Sequence, residues 1–319
     1  MIEIVTSIFL FVLGLALLIF SSDWLIQACV KLSILLKLTP LFVGLIFVGF
    51  ATSAPETGVG VVAAIKNYEG IALGNVVGSN IANIGLILGL CALFSPIPVN
   101  KNIFRRELPV MLLAVILLYV LSLDGVISRL DGALFIIFLI IFCIISYRGA
   151  KSTFNDKEVD CFSFNKFFKK TRPRFLVIVI TLLSLGGIIW GSDLMVRGGS
   201  SFARLLGVRP WVIGITAFAI GTSLPELVAS LTASFKKLHS ISVGNVVGSN
   251  IFNIFFVLGL VALIRPIPVE RSYLHFEYVV MFIFSLVLLC VMKTHYRITR
   301  REGLFMFLGY IVFLFILFK

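Results

Sequence analysis

Ten apolar stretches recur along the chain, and they limit its possible folds more than any other feature. Each approaches the roughly 20 residues that a helix needs to cross a bilayer. Hydrophobic side chains make up 60% of the 319 residues, more than a soluble domain of this length usually contains. Because backbone inside a membrane must satisfy its own hydrogen bonds, we predict an all-α polytopic membrane protein with ten transmembrane helices. The predicted spans are 3–21, 40–65, 71–94, 106–123, 128–147, 175–195, 210–235, 241–264, 274–292 and 303–318.

An internal repeat divides these spans into two sets of five. Residues 40–99 align with 210–269 without a gap, at a constant offset of 170, and close to half of the paired positions are identical. "ATSAPE" pairs with "GTSLPE", and "LGNVVGSNIANI" pairs with "VGNVVGSNIFNI". Because five is odd, the second set must enter the membrane from the opposite side. The sequence therefore predicts two inverted five-helix repeats, at 1–148 and 175–319, an arrangement typical of secondary transporters.

The basic residues indicate how the chain is oriented. The net charge is +12, and most of the Lys and Arg fall in loops on one side of the predicted helices, above all in the 149–174 linker. Since cytoplasmic loops carry an excess of these residues, we predict an outside N-terminus and a cytoplasmic linker. This topology accounts for the charge without nucleic acid. We expect a multi-pass protein of the cytoplasmic membrane, without a cleaved signal peptide or an obligate protein partner.

Two glutamates lie near the middle of predicted spans, Glu56 in 40–65 and Glu226 in 210–235. A carboxylate at the bilayer centre costs roughly 2.5–3.5 kcal/mol on insertion scales. No Arg or Lys falls near the middle of any predicted span, so the sequence offers no built-in partner. The pair therefore predicts a site for cations or protons at the repeat interface, with protonated structural glutamates as the alternative.

A proline precedes each of these glutamates. Pro55 and Pro225 lack an N–H and crowd the carbonyl one turn back, so we predict a broken helix at each position, with carbonyl oxygens freed beside the carboxylate. Hydroxyl side chains also share the helical face of each glutamate. These are Thr52 and Ser53 in the first repeat, and Thr222 and Ser223 in the second.

The second repeated motif combines small and polar residues. Gly74 and Gly78, like Gly244 and Gly248, have a spacing that lets helices approach closely. Two further polar residues share one face of each motif, either as polar contacts between helices or as ion ligands: Ser79 and Asn83 in the first, Ser249 and Asn253 in the second. All these groups offer hard oxygens, of which Ca²⁺ takes about 6–8. No Cys or His joins them, which disfavours softer metals and leaves no catalytic arrangement, so we predict no enzyme.

The paired motifs resemble the alpha-repeats of the sodium/calcium exchanger family, within the cation/calcium antiporter superfamily: "GTSLPE" with "GNVVGSNIFN" in the second half, and the slightly departing "ATSAPE" with "GNVVGSNIAN" in the first. The resemblance implies exchange of Ca²⁺ for Na⁺ by alternating access, with both ions bound as substrates and no cofactor. It implies that Glu56 and Glu226 are the main cation ligands and that Thr52 and Thr222 contribute carbonyls. The other implied ligands are Ser53, Ser223, Ser79 and Ser249 at Na⁺ sites, with carbonyls of Gly49 and Ala219 at the outermost Na⁺ positions.

The resemblance also implies that the first and sixth helices slide across the rest. These helices are expected to continue past Asp23 and Asp193, to near residues 36 and 206. Asn253 stands where some relatives carry Asp, which weakens the case for K⁺ co-transport. Antiport of Ca²⁺ or another divalent cation for H⁺ remains an alternative, as do a passive cation channel and a non-transporting scaffold. Ca²⁺ flux that follows a pH gradient would indicate the H⁺ antiporter. Current without a counter-ion would indicate a channel, and the absence of flux would indicate a scaffold.

Overall fold

The computed structural model describes residues 2–100, 103–152, 168, 173–205, 210–270, 276–294 and 296–317. Ten long helices contain most of these residues, five in each half. The first half contains α1 (Ile2–Leu36), α2 (Pro40–Ile65), α3 (Glu69–Phe94), α4 (Leu108–Leu121) and α5 (Arg129–Ser152). The second half contains α6 (Arg174–Leu205), α7 (Pro210–Phe235), α8 (His239–Ile264), α9 (Glu277–Lys293) and α10 (Arg300–Leu317).

The helices agree with the predicted membrane architecture. Among the described residues, α1, α2, α3, α5, α6 and α8 are long and apolar enough to cross a bilayer by themselves. The predicted continuations of the first and sixth helices are also confirmed, since α1 ends at Leu36 and α6 at Leu205. The predicted 149–174 linker lies largely outside the described residues, at 153–167 and 169–172, and α5 extends to Ser152.

The burial of the helices separates a centre from a perimeter. In α3 and α8, 78% of the most apolar window is buried, whereas the figure for α1 is 22%. Large apolar side chains of α1 and α6 are correspondingly exposed, including Phe9 and Leu183. Exposed apolar surface of this extent is what a helix presents to lipid. The two copies of the "GNVVGSN" motif, at residues 74–80 and 244–250, therefore lie at the core of the bundle.

The long helices α1 and α6 pack against each other in opposite directions. Gly14 lies beside Met195, and Gly198 lies beside Phe11, so the two helices are antiparallel. A Cβ atom added to Gly14 would come within 2.5 Å of the Met195 backbone nitrogen. The absence of side chains at these positions lets the two backbones touch, as in other membrane helix pairs.

Two short ladders connect the repeats. The four two-residue strands are β1 (Ile97–Pro98), β2 (Val126–Ile127), β3 (Ile267–Pro268) and β4 (Arg297–Ile298). β1 pairs with β4, β2 pairs with β3, and both pairs are antiparallel. Each ladder therefore joins a loop of the first repeat to a loop of the second. They were not predicted, because two residues carry no readable alternation, and they leave the all-α class unchanged.

Candidate cation site between the repeats

The site is formed by α2 and α3 of the first repeat and by α7 and α8 of the second. α2 is interrupted at Ser53, whose backbone (φ −78°, ψ 7°) leaves the helix just before Pro55. α7 runs unbroken through Pro225, so the predicted break is wrong in the second repeat. A proline removes only one backbone hydrogen bond, and the remaining bonds of α7 hold it as a helix.

The two glutamates are fully buried, at 0% exposure each. They lie close enough to repel each other electrostatically. The Ser79 hydroxyl donates to Glu56 Oε1 at 3.3 Å. Among the described residues, no hydrogen-bond donor reaches Glu56 Oε2 or either carboxylate oxygen of Glu226. Acceptors are thus concentrated here with too few donors, which is the electrostatic condition for a cation site.

Hydroxyl groups from both repeats lie near each carboxylate. Thr222 of α7 lies near Glu56, whereas Thr52 of α2 and Ser249 of α8 lie near Glu226. The hydroxyls of Thr52 and Ser249 are 3.3 Å apart, and Ser249 donates to the Gly49 carbonyl at 3.3 Å. The site is therefore shared by both repeats. Ala219 lies in α7, in a stretch whose side chains are outside the described part of the chain.

Asparagine pairs cross between α3 and α8 beside the glutamates. Asn83 donates from Nδ2 to Asn250 Oδ1 at 2.9 Å, and Asn253 donates from Nδ2 to Asn80 Oδ1 at 3.1 Å. These two bonds correspond through the 170-residue offset. The Oδ1 atoms of Asn83 and Asn253 accept no hydrogen bond among the described residues and are therefore available to a cation.

A π-helical segment begins at each of these ligand candidates. It covers Asn83–Leu88 in α3 and Asn253–Leu258 in α8. Such segments interrupt the regular helix and often occur at functional sites. The hydroxyls of Ser53 and Ser223 are also buried, without a hydrogen-bond partner in the described ranges. No described hydrogen bond joins these two serines to the carboxylates. Their hydroxyl oxygens are therefore available as ligands and are not part of the hydrogen-bond network around the glutamates.

The glycine motifs give different contacts in the two repeats. A Cβ atom added to Gly248 of α8 would lie 2.1 Å from the Leu45 carbonyl oxygen of α2, and one added to Gly244 would lie 2.8 Å from the Leu41 carbonyl oxygen. The predicted close approach is thus present in the second motif. At Gly78, no described atom lies within 4 Å of an added Cβ. The α7 residues that match Leu41 and Leu45 lie in the stretch whose side chains are not described, so the close approach in the first motif stays a prediction.

The ligand set can also be compared with the preferences of metals. In the described part of the chain, no three His, Cys, Asp or Glu residues come together. The buried groups are two carboxylates, hydroxyls and amide oxygens, all of them hard donors. This set suits Ca²⁺ or Na⁺ and is poor for zinc or copper.

Comparison with known proteins agrees with this arrangement. The profile of the family described as "Sodium/calcium exchanger protein" matches residues 6–148 and 176–319. The chain belongs to the sodium/calcium exchanger family. This exchanger is 33% identical to the sodium/calcium exchanger MaX1 of Methanosarcina acetivorans, over 99% of both chains. It is 34% identical to the putative antiporter CaxA of Alkalimonas amylolytica, again over 99% of both.

A solved structure gives the same result for the fold of the exchanger. The sodium-calcium exchanger NCX_Mj, soaked with 10 mM Na⁺ and no Ca²⁺, superposes with a TM-score of 0.83 at 32% identity. The match covers 97% of this chain and 98% of that one. The relatives are named exchangers and antiporters, so the protein is a multi-pass membrane exchanger of cations.

Sequence reasoning missed four asparagines of the exchanger. Asn80 and Asn250 orient the Asn253 and Asn83 amides, as described above. Asn245 accepts from Thr52 at 3.2 Å, and Asn75 accepts from Thr222 at the same distance. All four belong to the repeated "GNVVGSN" segments, so their identity in both copies was the available signal.

Proposed function

We propose that this protein exchanges Ca²⁺ for Na⁺ across the cytoplasmic membrane by alternating access to one site. The observation that carries the proposal is the buried pair Glu56 and Glu226, one from each repeat, with carboxylate oxygens that find no donor among the described residues. Ca²⁺ takes several such oxygens at once, and Na⁺ prefers the same hard ligands. The name of MaX1 and the NCX_Mj superposition also support Na⁺ as the counter-ion.

Electrostatic repulsion would make the exchange obligatory. Two carboxylates in a low-dielectric cavity repel each other strongly unless a cation or proton neutralises them. Ca²⁺, or several Na⁺ ions, would neutralise the pair and permit closure around the site. The empty site would keep its charge and resist closure, so one ion must leave as the other returns.

The ligands would be drawn from the residues assembled here. Glu56 and Glu226 would bind Ca²⁺ together with the carbonyls of Thr52 and Thr222. The Na⁺ positions would use the remaining oxygens of the site. These are the side chains of Ser53, Ser223, Ser79, Ser249, Asn83 and Asn253, and the carbonyls of Gly49 and Ala219.

The bilayer and the transported ions would be the only partners that the chain requires. We place the N-terminus outside and the 149–174 linker in the cytoplasm, because most Lys and Arg then fall inside. The repeats would span 1–148 and 175–319. Cysteine-labelling with an impermeant reagent, on intact cells and on inverted vesicles, would test this orientation.

Flux measurements would test the function. The purified protein in proteoliposomes loaded with Na⁺ should take up radiolabelled Ca²⁺, and replacing the internal Na⁺ with choline should stop the uptake. Glu56→Gln and Glu226→Gln should each lower uptake at least about tenfold, because loss of one buried charge removes over 1.4 kcal/mol of cation binding. Glu107→Gln is the matched control, since Glu107 is also a buried carboxylate but precedes α4, outside the site.

Two results would contradict the proposal. Undiminished uptake in both site variants would refute the site. Uptake that follows a pH gradient and ignores Na⁺ would identify H⁺ as the counter-ion instead.

A further inference from the structure

The inverted repeat allows the structure to be compared with itself. Residues 40–99, and more weakly the stretch around 21–24, correspond to the residues 170 positions later, in a repeat of inverted orientation. An inverted-repeat transporter reaches its opposite state when its two halves exchange conformations. A contact that one half makes and the other half lacks, although both halves carry the residues for it, therefore marks the state of the molecule.

α1 is attached to the C-terminal half of α7. The Asp23 carboxylate forms an ion pair with Lys236, which directly follows α7. One residue earlier, the Ser22 hydroxyl donates to the Val228 carbonyl at 3.1 Å and lies 2.7 Å from the Thr232 hydroxyl. These contacts hold the middle of α1 against the helix that carries Glu226.

Among the described residues, the corresponding ion pair and serine–carbonyl hydrogen bond between α6 and α2 are not made, while the Ser22–Thr232 contact has no counterpart because residue 62 is Val. Ser192, which matches Ser22, is 4% exposed, and its hydroxyl has no hydrogen-bond partner in the described chain. Gly58, which matches Val228, has no described atom within 4 Å of an added Cβ. Among described residues, Asp193 forms its ion pair with Arg197, one turn along α6 at 2.9 Å, and not with Lys66, the match of Lys236.

We propose that Asp23–Lys236 and Asp193–Lys66 are two alternating latches, closed one at a time, that fix which side of the exchanger is open. In this structure the first latch is closed and the second is open. In the opposite state Asp193 and Ser192 contact α2, while Asp23 and Ser22 release α7. The four charged residues are positioning residues, because they act on the helices that carry Glu56 and Glu226.

The inference rests on the alternating access of the proposed function. It does not depend on which ions are carried.

The sequence biases the two latches differently. Gln27, one turn beyond Asp23 in α1, donates to Asp23 at 2.6 Å and leaves the carboxylate its full negative charge. The matched residue in α6 is Arg197, which pairs with Asp193 and competes with Lys66. The second latch is therefore the weaker one, and the state with Asp23–Lys236 closed is favoured.

Disulfide crosslinking tests the latches directly. In a background with the five natural cysteines replaced by Ser, one variant carries Asp23→Cys with Lys236→Cys, and another carries Asp193→Cys with Lys66→Cys. We expect both pairs to crosslink, each crosslink to stop Ca²⁺ uptake, and reduction to restore it. Changing the ion between Na⁺ and Ca²⁺ should move the two yields in opposite directions.

Two outcomes would overturn the proposal. If the Asp193→Cys/Lys66→Cys pair never crosslinks while the other pair does, the asymmetry is a fixed feature and not a state. If both crosslinks form in one molecule that carries all four substitutions, the latches are not exclusive. The crosslinking yield reports where the helices lie and does not depend on ion flux. It would therefore remain interpretable even if Glu56→Gln left Ca²⁺ uptake unchanged and the proposed cation site were wrong.

Arg197 provides a second test with a matched control. Arg197→Gln gives α6 the same residue that α1 has at the matching position, Gln27. It removes the cation that competes with Lys66 for Asp193. We expect it to lower the initial crosslinking rate of the Asp23→Cys/Lys236→Cys pair about two- to fivefold, the range for exposed ion pairs. Arg197→Lys keeps the charge and should leave the rate unchanged. Equal rates for Gln and Arg at this position would refute the competition.

Discussion

The matched glycines Gly248 and Gly78 should respond differently to the same substitution. Gly248→Ala would place a Cβ 2.1 Å from the Leu45 carbonyl oxygen and 2.8 Å from its carbonyl carbon. These are backbone atoms, so no side chain can rotate away, and α2 and α8 must separate by about 1 Å. Overpacking of this kind costs about 1–3 kcal/mol, and we expect the upper end of the range here.

The matched variant provides the control. Gly78→Ala enters a position with no described atom within 4 Å of the new Cβ, and Ala is favoured over Gly in a helix by about 1 kcal/mol. It should leave stability unchanged or raise it slightly. Gly244→Ala, with its nearest contacts at 2.8 and 3.0 Å, should cost less than Gly248→Ala.

Equilibrium unfolding in mixed micelles, followed by circular dichroism, would measure the series. At about 3 kcal/mol, Gly248→Ala should change the unfolding equilibrium constant more than a hundredfold relative to the parent. The expected order of destabilisation is Gly248, then Gly244, then Gly78. Equal losses at Gly248 and Gly78 would refute the reasoning, because the motifs are identical in sequence and differ only in what surrounds them.

Three further substitutions test individual contacts. Asn250→Ala should lower the free energy of unfolding in the same micelle titration by about 1–3 kcal/mol, because it strands the buried Asn83 amide. Arg265→Gln leaves the Glu69 carboxylate, 7% exposed, without its cation, so a double-mutant cycle with Glu69→Gln should show a coupling of about 1 kcal/mol. Ser79→Ala removes one donor from the first carboxylate and should change the Ca²⁺ concentration for half-maximal uptake about three- to tenfold.

The architecture could be predicted from the sequence because its determinants are local. An apolar run long enough to cross a bilayer forms a helix whatever its neighbours are. An odd number of runs in a repeat then fixes the inversion without any tertiary information. The continuation of α1 past Asp23 was predictable for a similar reason, since the chain after it carries no helix-breaking residue before Pro40.

The position of the site was predictable, but its internal arrangement was not. Glu56 and Glu226 stand out because a charge in an apolar run is costly wherever it lies. The partners of Asn83 and Asn253 depend instead on how α3 and α8 cross. The helical face of a residue can be worked out from spacing, whereas the neighbour opposite that face cannot. The same limit explains why the unbroken path of α7 through Pro225 was missed.

Differences between the two repeats were also beyond sequence reasoning. Gly78 and Gly248 occupy identical motifs, and any rule based on the motif assigns them the same contact. The structure describes a backbone contact at Gly248 and no contact with a described atom at Gly78. A conformational state is a property of the assembled molecule, and a duplicated sequence describes both states equally.

The two short ladders bear on the origin of the duplicated chain. Under the symmetry of the repeats, β1 corresponds to β3 and β2 to β4, so the pairs β1–β4 and β2–β3 are one contact made twice. An ancestor with a single repeat, inserted in both orientations, would have closed both ladders as a twofold homodimer through an isologous interface. Gene fusion would then have needed only a connecting segment between the halves, with no new interface.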